Sequence, residues 1–423
     1  MDDATTQATE TTETTETKET LSITVTGADR PGVTGTLLAA VTEVGAGAEV
    51  IDIQQVVVHG HLTLALVLAP GDAADAVRAA ARSVAERLGL AVSFGAGPAD
   101  GPRPRHGRAA VVVLGRPLGA DAVSAVTGRI AEHGANIDRI RRLSRYPVTT
   151  VEFDVSGADV AGLRTELSLV AAANGIDVAV APGGLARRGR RLVVLDVDST
   201  LIRQEVIEML AAHCGREEEV AAVTARAMAG ELDFEQSLRA RVATLAGLPA
   251  SVLQEVRRDI VLTPGARTLV RTLKRLGFTV GLVSGGFVEI VGGLAAELGI
   301  DHARANRLEI RDGRLTGRVL GEVVDRAGKA RALRDFAASE GLPLSRTVAI
   351  GDGANDLDML AAAGLGVAFN AKPVVREQAH TSVNVPYLDS VLYLLGLTRE
   401  EIEEADAADG TPTAVPAVPP APH

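Results

Sequence analysis

Two aspartates, Asp196 and Asp198, follow directly after the uninterrupted apolar run 192–195. Such a run is typical of a buried parallel strand, and open α/β sheets bind their ligands at the carboxyl ends of these strands. Residues two apart in an extended chain point the same way, so both carboxylates are expected to converge. Converging carboxylates repel one another unless a cation or a shared proton lies between them. Alone, the pair is also compatible with two acids that merely end a strand.

Three further segments carry polar side chains at comparable positions. A hydroxyl and free backbone N–H groups at a strand-to-helix turn can hold a phosphate, and a lysine adds positive charge. Carboxylates after a third strand supply the hard oxygen ligands that Mg²⁺ prefers. The segments are Ser284-Gly285-Gly286-Phe287 after the apolar run 278–283, Lys329 in the helical stretch 329–340, and Gly351-Asp352-Gly353-Ala354-Asn355-Asp356 after the run 347–350.

In this order the four segments resemble the four motifs of the haloacid dehalogenase superfamily. The resemblance implies a Rossmann-like α/β core with a helical cap inserted at about 203–262, and Mg²⁺ as the cofactor. It also implies that Asp196 is the nucleophile, which forms an aspartyl-phosphate, and that Asp198 is the general acid and base. The spacing of the two aspartates does not by itself decide which of them attacks.

The same resemblance gives expected roles to the other side chains of the site. Ser284, Gly285 and Lys329 are expected to bind the phosphate group. The expected metal ligands are the Asp196 carboxylate, the backbone carbonyl of Asp198, Asp352 and, directly or through another ligand, Asp356.

The chain from 191 to 397 is also similar to the phosphoserine phosphatase family, most closely at 196–205 and 230–242. In that family the residues at the positions of Glu205 and Arg241 meet the ammonium and the carboxylate of phosphoserine, and a paired acid and arginine suits such a zwitterion. Further substrate positions correspond to Met228, Phe234 and Asn355. Without the surrounding motifs, Glu205 would be interpreted as a solvated helix residue and Arg241 as half of a surface ion pair.

Upstream of this region, two segments of similar pattern indicate a tandem duplication. Residues 21–95 and 107–182 each have the pattern βαββαβ, and Gly27 and Gly115 stand at equivalent places 88 residues apart. The two segments resemble ACT domains, which are ferredoxin-like units that bind amino acids at interfaces between copies. The resemblance implies an amino-acid effector, for which serine is the candidate, and a homodimer.

The first strand–helix turn of each ACT-like segment is the candidate effector site. Glycine at Gly32 lets a ligand approach the backbone, a helix start presents free N–H groups to a carboxylate, and Asp29 lies in the same turn. The alternative is that Pro31 and Gly32 only shape the turn. The second segment keeps Gly115 but lacks the acidic residue, so two equivalent sites are not expected.

The net charge of −11 is concentrated near the two ends of the chain, because 1–20 and 399–409 each carry six acids and one base. Residues 1–20 and the Ala/Pro-rich 405–423 are predicted to be disordered tails. The remainder is nearly neutral, so no nucleic acid is expected as a partner, although short basic stretches at 103–108 and 187–191 admit that interpretation.

No apolar run approaches the length of a membrane helix. A single cysteine, Cys214, excludes an internal disulfide, and a cytoplasmic location is predicted.

Hydrolysis of O-phospho-L-serine to L-serine and phosphate, the last step of serine biosynthesis, is therefore the predicted function, with feedback by an amino acid. Two other functions are compatible with the same patterns. The domain could act on another small phosphorylated metabolite, or transfer the phosphoryl group to an alcohol. The chain could instead be an amino-acid-sensing regulator with a relic phosphatase domain, although the complete set of four motifs argues against a relic.

Overall fold

The computed structural model describes residues 19–45, 47–98, 107–184, 189, 191–228, 231–411 and 413. The chain divides into two compact units, 1–104 and 105–423. No helix in the described ranges combines the length and the apolarity that crossing a membrane requires.

The first unit is a four-stranded antiparallel sheet with two helices packed on one face. Alternation of apolar and polar residues along its first strand buries Leu21, Ile23 and Val25 against these helices. That strand begins at Glu19, so the last two residues of the predicted tail 1–20 are extended. The elements are β1 (Glu19–Ala28), α1 (Val33–Val44), β2 (Glu49–Val58), β3 (His61–Ala69), α2 (Ala74–Leu88) and β4 (Ala91–Pro98), with sheet order β2-β3-β1-β4.

The second unit begins with a module of the same topology whose first strand is buried on both faces. Val111 and Val113 pack under its own helices, whereas Val112 and Leu114 belong to the core of the following domain. The first module has threonine, Thr24, at the place equivalent to Val112, so the two copies have diverged on this face. The elements are β5 (Ala109–Gly115), α3 (Ala120–Glu132), β6 (Asn136–Ser144), β7 (Thr149–Ser156), α4 (Val160–Asn174) and β8 (Asp177–Pro182), with sheet order β6-β7-β5-β8.

Hydrogen bonds at Asp177 complete the attachment of this second module to the rest of its unit. The buried carboxylate accepts from the backbone N–H of Asn384 at 2.7 Å, the Asn384 side chain at 2.6 Å and the Ser382 hydroxyl at 3.0 Å. Thr381 donates to the carbonyl of Val178 at 2.8 Å. Because the outer face of its first strand packs into the core of the following domain, the module is part of its unit and not a separate body.

The remainder of the unit is a doubly wound α/β domain, as the sequence predicts. Its seven strands lie in the order β12-β11-β10-β9-β13-β14-β15, all parallel except β12, which is antiparallel to its neighbour. The strands are β9 (Leu192–Leu195), β10 (Thr279–Phe287), β11 (His302–Arg311), β12 (Arg314–Leu320), β13 (Thr347–Gly351), β14 (Leu365–Phe369) and β15 (Thr381–Val383). The helices that accompany them are α9 (Ala266–Arg275), α10 (Val288–Leu298), α11 (Arg326–Ser339), α12 (Leu357–Ala362), α13 (Pro373–Gln378), α14 (Val391–Leu394) and α15 (Arg399–Ala408).

A helical insertion separates β9 from α9, in the region predicted to form a cap. Its two connections to the domain run side by side, because Ile202 pairs with Leu262 in an antiparallel bridge and Arg203 donates to the carbonyl of Val261 at 3.0 Å. The third helix begins with a capping box formed by Asp233 and Gln236. The insertion consists of α5 (Val206–His213), α6 (Glu217–Met228), α7 (Phe234–Thr244) and α8 (Val252–Asp259).

The C-terminal helix α15 extends into the segment 405–423, which was predicted to be disordered. Asp406 is fully buried, accepts from Arg271 at 2.5 Å, pairs with Arg275 and accepts from the Thr413 hydroxyl at 2.6 Å. These contacts fix the end of the helix against α9, so the prediction of disorder is wrong for 405–411. Residues 412 and 414–423 lie outside the described residues.

Candidate active site

The carboxyl ends of β9, β10 and β13 meet at one edge of the sheet, where they border a cavity of about 250 Å³. Cap helix α7 contributes Phe234, Leu238 and Arg241 to the lining. The predicted site residues that line this cavity are Asp196, Asp198, Glu205, Phe234, Arg241, Gly285, Lys329, Asp352 and Asn355.

Asp196 lies directly after the central strand and is almost completely buried. Its Oδ1 accepts the N–H of Val197 at 2.8 Å and pairs with the Nζ of Lys329 at 2.8 Å. Burial and the neighbouring charge of Asp356 raise the pKa of Asp196 well above its ordinary value, and Lys329 opposes this shift. The ammonium of Lys329 therefore favours the ionised form of Asp196, against the effect of burial and of Asp356.

Lys329 supplies that charge from the first turn of α11, where it is fully buried. The turn is fixed because Asp325 caps the helix and accepts the N–H of Gly328 at 2.6 Å. Lys329 also pairs with Asp356 at 2.7 Å. Burial alone would lower the pKa of Lys329, but Asp196 and Asp356 raise it above the ordinary value, so the ammonium stays charged.

Asp196, Asp352 and Asp356 form a cluster whose carboxylate oxygens lie within 4.8 Å of one another. Two of them are held in place by donors, since Thr200 donates to Asp352 at 2.7 Å and the N–H of Gly353 donates to Asp356 at 2.9 Å. Burial raises the pKa of Asp352 to about 6. Three converging carboxylates exceed the single charge of Lys329, so this set of hard oxygen donors fits a divalent cation such as Mg²⁺.

Asp198 occupies a different environment from Asp196, on the side of the cavity next to the cap. Its Oδ1 accepts the N–H of Val206 at 2.9 Å, and its Oδ2 accepts the hydroxyl of Ser284 at 3.3 Å. Burial, followed by the charge of Glu205, raises the pKa of Asp198 to about 7. A carboxyl group with a pKa near neutrality can both donate and accept a proton during a reaction.

The Ser284 segment differs from the predicted strand-to-helix turn. Strand β10 continues as far as Phe287 with a register shift after Val283, so Ser284, Gly285 and Gly286 form a bulge. A Cβ at Gly285 would lie 3.3 Å from the Phe234 ring, and one at Gly286 would lie 2.9 Å from the Ser284 hydroxyl oxygen. The glycines are therefore needed for close packing around the cavity, and Ser284 itself lies buried behind its lining.

Glu205 and Arg241 face the same cavity from the start of α5 and from α7. The Ser199 hydroxyl donates to Oε1 of Glu205 at 2.8 Å, from a backbone with φ of 55°. Burial raises the pKa of Glu205 and lowers the pKa of Arg241, and each opposes the shift of the other. Both groups are thus half-buried charges that gain from a ligand of opposite charge. The side chain of Met228, predicted to cover the site, lies outside the described residues.

The candidate effector residues lie in turns far apart in sequence from this cavity. Asp29 and Gly32 are exposed, and Gly32 precedes α1 with φ of 90°, a backbone that glycine adopts without strain. A Cβ at Gly115 would lie 2.9 Å from the Cα of Leu118. Gly115 therefore has a packing reason to be glycine, whereas the space beside Gly32 is open.

Sequence reasoning did not identify Ser199, Thr200 or Asn306, which hold other site groups in place. Ser199 and Thr200 lie inside the segment 196–205, where the similarity to the phosphoserine phosphatase family is strong. That similarity could have indicated them as site residues. Asn306 lies in the middle of β11, where the sequence offers no catalytic motif.

Comparison with known proteins shows which families the chain resembles. Residues 193–361 match the family model described as haloacid dehalogenase-like hydrolase, and 19–95 and 108–181 each match an ACT domain model. A phosphoserine phosphatase of Streptomyces coelicolor is 62% identical over 390 residues, which cover 92% of this chain and 94% of that protein. The chain belongs to the phosphoserine phosphatase family.

Two further relatives support this placement. A phosphoserine phosphatase of Mycobacterium tuberculosis is 54% identical, with 92% of this chain and 95% of that protein covered. The crystal structure of a probable phosphoserine phosphatase from Vibrio cholerae, in unliganded form, matches with a TM-score of 0.54 at 38% identity, covering 68% of this chain and 86% of that one. The predicted haloacid dehalogenase fold with two preceding ACT domains is confirmed.

Proposed function

We propose that this chain hydrolyses O-phospho-L-serine to L-serine and phosphate through an aspartyl-phosphate on Asp196, in the last step of serine biosynthesis. The observation that carries the proposal is one cavity that joins two sets of groups. Its lining contains the buried Asp196 carboxylate, paired with Lys329 at 2.8 Å, and also Glu205 and Arg241. Membership of the phosphoserine phosphatase family supports the same substrate.

The first step forms a bond between the Asp196 carboxylate and phosphorus and breaks the bond between phosphorus and the serine oxygen. Lys329, the Ser284 segment and backbone N–H groups hold the phosphoryl oxygens in line for this attack. Asp198 gives its proton to the departing oxygen, for which a pKa of about 7 is suitable. When bound by Asp196, Asp352 and Asp356, Mg²⁺ supplies positive charge that offsets the charge of the phosphoryl group.

The second step reverses the role of Asp198, which now accepts a proton from water. The oxygen of that water forms a bond to phosphorus, and the bond between phosphorus and Asp196 breaks, which releases phosphate and restores the carboxylate. Phe234 covers the cavity and limits the entry of other water molecules. An alcohol in place of water would give phosphoryl transfer, so the acceptor is part of what must be tested.

Hydrolysis of phosphoserine by the full chain is expected to require a divalent cation. Phosphate release should fall to background after treatment with EDTA and return on addition of excess Mg²⁺, because Asp196, Asp352 and Asp356 repel one another without a cation. An aryl phosphate without an amino-acid group serves as the control substrate. Hydrolysis of the aryl phosphate but not of phosphoserine would contradict the proposed substrate. Activity unchanged after metal removal would contradict the proposed requirement for a divalent cation.

We also propose that serine binds at the turn of Asp29 and Gly32 and lowers activity. Serine is expected to inhibit several-fold to about a hundredfold, the range of ordinary coupling energies. Product competition also inhibits, so the test compares two variants of the full chain, Gly32→Ala and Gly89→Ala. Both place alanine in a left-handed backbone with open space around it, but only the first alters the candidate site. Equal serine inhibition in both variants and the unaltered chain would contradict this role.

A homodimer and a cytoplasmic location stay predictions from the sequence. Light scattering of the purified full chain tests the first, and cell fractionation tests the second.

A further inference from the structure

Asn306 is a buried polar side chain in the middle of β11, with 1% of its surface exposed. Its Nδ2 donates to the carbonyl oxygen of Gly285 at 2.8 Å, and its Oδ1 accepts the N–H of Val324 at 2.8 Å. The orientation of the carboxamide follows from its partners, since a carbonyl only accepts and a backbone N–H only donates. Asn306 therefore joins two backbone segments that are distant in sequence.

The bulge in β10 explains why a side chain is needed at this point. Val283 pairs with Arg304, and the next pairing joins Phe287 to Asn306, so β10 advances four residues while β11 advances two. The two extra residues take the Gly285 carbonyl out of the regular ladder of backbone hydrogen bonds. The Asn306 carboxamide supplies the donor that the ladder no longer provides, in a region where an unpaired carbonyl would be costly.

The same peptide unit is held at its other end by Ser284. The N–H of Gly286 donates to the Ser284 hydroxyl oxygen at 2.7 Å, and this hydroxyl donates to Asp198 at 3.3 Å. The peptide between Gly285 and Gly286 is thus fixed through both its oxygen and its N–H. Gly285 and Gly286 line the cavity, so the orientation of this peptide decides which backbone groups face a phosphoryl oxygen.

The second contact of Asn306 leads to the helix that carries Lys329. Val324 directly precedes Asp325, which caps α11, and Lys329 lies in the first turn of that helix. One carboxamide consequently connects the bulge that faces the phosphate with the start of the helix that supplies the buried ammonium.

We propose that Asn306 is a positioning residue for phosphoryl binding, which sets the Gly285–Gly286 peptide and the start of α11 in register with one another. The inference rests on the proposed function, because it assigns the backbone next to this peptide to the phosphate. Asn306 does not touch the reacting groups and acts through Gly285 and Val324.

The test compares Asn306→Asp with Leu308→Ala in the full chain. Aspartate has the shape of asparagine and keeps the acceptor for Val324, but it replaces the donor with an oxygen that repels the Gly285 carbonyl. Leu308 is a buried residue of the same strand, and its truncation leaves a cavity without altering the bulge. The measurements are kcat, KM, the inhibition constant of inorganic phosphate and Tm.

Asn306→Asp is expected to lower kcat about 10- to 100-fold and to raise the inhibition constant of inorganic phosphate, since loss of one preorganised donor group has effects of this order or larger. Leu308→Ala is expected to lower Tm while kcat and the inhibition constant stay within about twofold. If Asn306→Asp does not fold, kcat, KM and the inhibition constant of inorganic phosphate are measured for Asn306→Ala, and these values test the proposal. Values close to those of the unaltered chain in a folded Asn306 variant would overturn the proposal.

Failure of the proposed function has a different signature. If the unaltered chain hydrolyses an aryl phosphate but not phosphoserine, the substrate assignment is wrong. The role of Asn306 is then still tested, with the aryl phosphate as substrate and inorganic phosphate as the competing ligand.

Discussion

Asp196→Asn is expected to lower kcat for phosphoserine by at least about 10³-fold while the chain remains folded. An amide is a poor nucleophile and a weaker ligand for Mg²⁺ than a carboxylate. The amide oxygen can still accept from Val197 and Lys329, and Lys329 retains Asp356 at 2.7 Å. Local geometry should therefore persist.

The same substitution is expected to leave Tm unchanged or to raise it. Burial and Asp356 raise the pKa of Asp196, which means that its ionised form is less favourable in the folded chain than in the unfolded one. An uncharged amide removes that unfavourable contribution. A large fall in Tm would indicate that the carboxylate also stabilises the fold, and the loss of activity would then need a second explanation.

Asp358→Asn is the matched control for this experiment. Asp358 lies at the surface, where it pairs with Arg326 at 2.6 Å outside the cavity lining. Its variant should keep kcat within about twofold. Phosphate release by Asp196→Asn must be measured on protein free of unaltered enzyme, because a trace of about one part in a thousand would equal a residual rate lowered about 10³-fold. Near-normal activity of such a preparation would contradict a covalent intermediate on Asp196.

The meeting of the proposed catalytic groups in one cavity could be predicted from the sequence, because each of them stands beside a strong local signal. Asp196 and Asp352 follow short, fully apolar runs, and neighbouring parallel strands bring their ends to one edge of the sheet. Lys329 was identified through the order of the motifs, and its place in the first turn of α11 follows from the cap at Asp325. The local sequence pattern and the strand topology together are sufficient to predict where these residues lie.

Features that depend on register or on packing between distant segments could not be predicted. The bulge at Ser284 arises from a mismatch between β10 and β11, and the role of Asn306 exists only because of that mismatch. The second module is covered by segments distant in sequence, since Val178 in β8 accepts a hydrogen bond from Thr381, 203 residues further along the chain. The order of 405–411 depends in the same way on the contacts of Asp406 with α9.

Arg241→Ala is expected to lower kcat/KM for phosphoserine about 10- to 100-fold, and that for an aryl phosphate less than about threefold. A hydrogen bond from a charged donor contributes about 1.5–3 kcal/mol, and each 1.4 kcal/mol corresponds to about tenfold in affinity. Only phosphoserine offers a carboxylate to this guanidinium, which lines the same cavity as Asp196 and Asp198. The ratio between the two substrates therefore measures recognition of the amino-acid end and not the chemical step.

Arg239→Ala provides the control, because Arg239 lies two residues away on α7 and is exposed. It pairs with Glu235 at 2.7 Å on the helix surface, and exposed pairs of this kind contribute little to stability. Arg239→Ala should leave kcat/KM unchanged for both phosphoserine and the aryl phosphate. Arg241→Ala should lower kcat/KM strongly for phosphoserine alone. If Arg241→Ala lowers kcat/KM for both substrates to the same degree, the guanidinium acts by holding the cap in place. Arg241 would then not be the group that distinguishes phosphoserine from other phosphate esters.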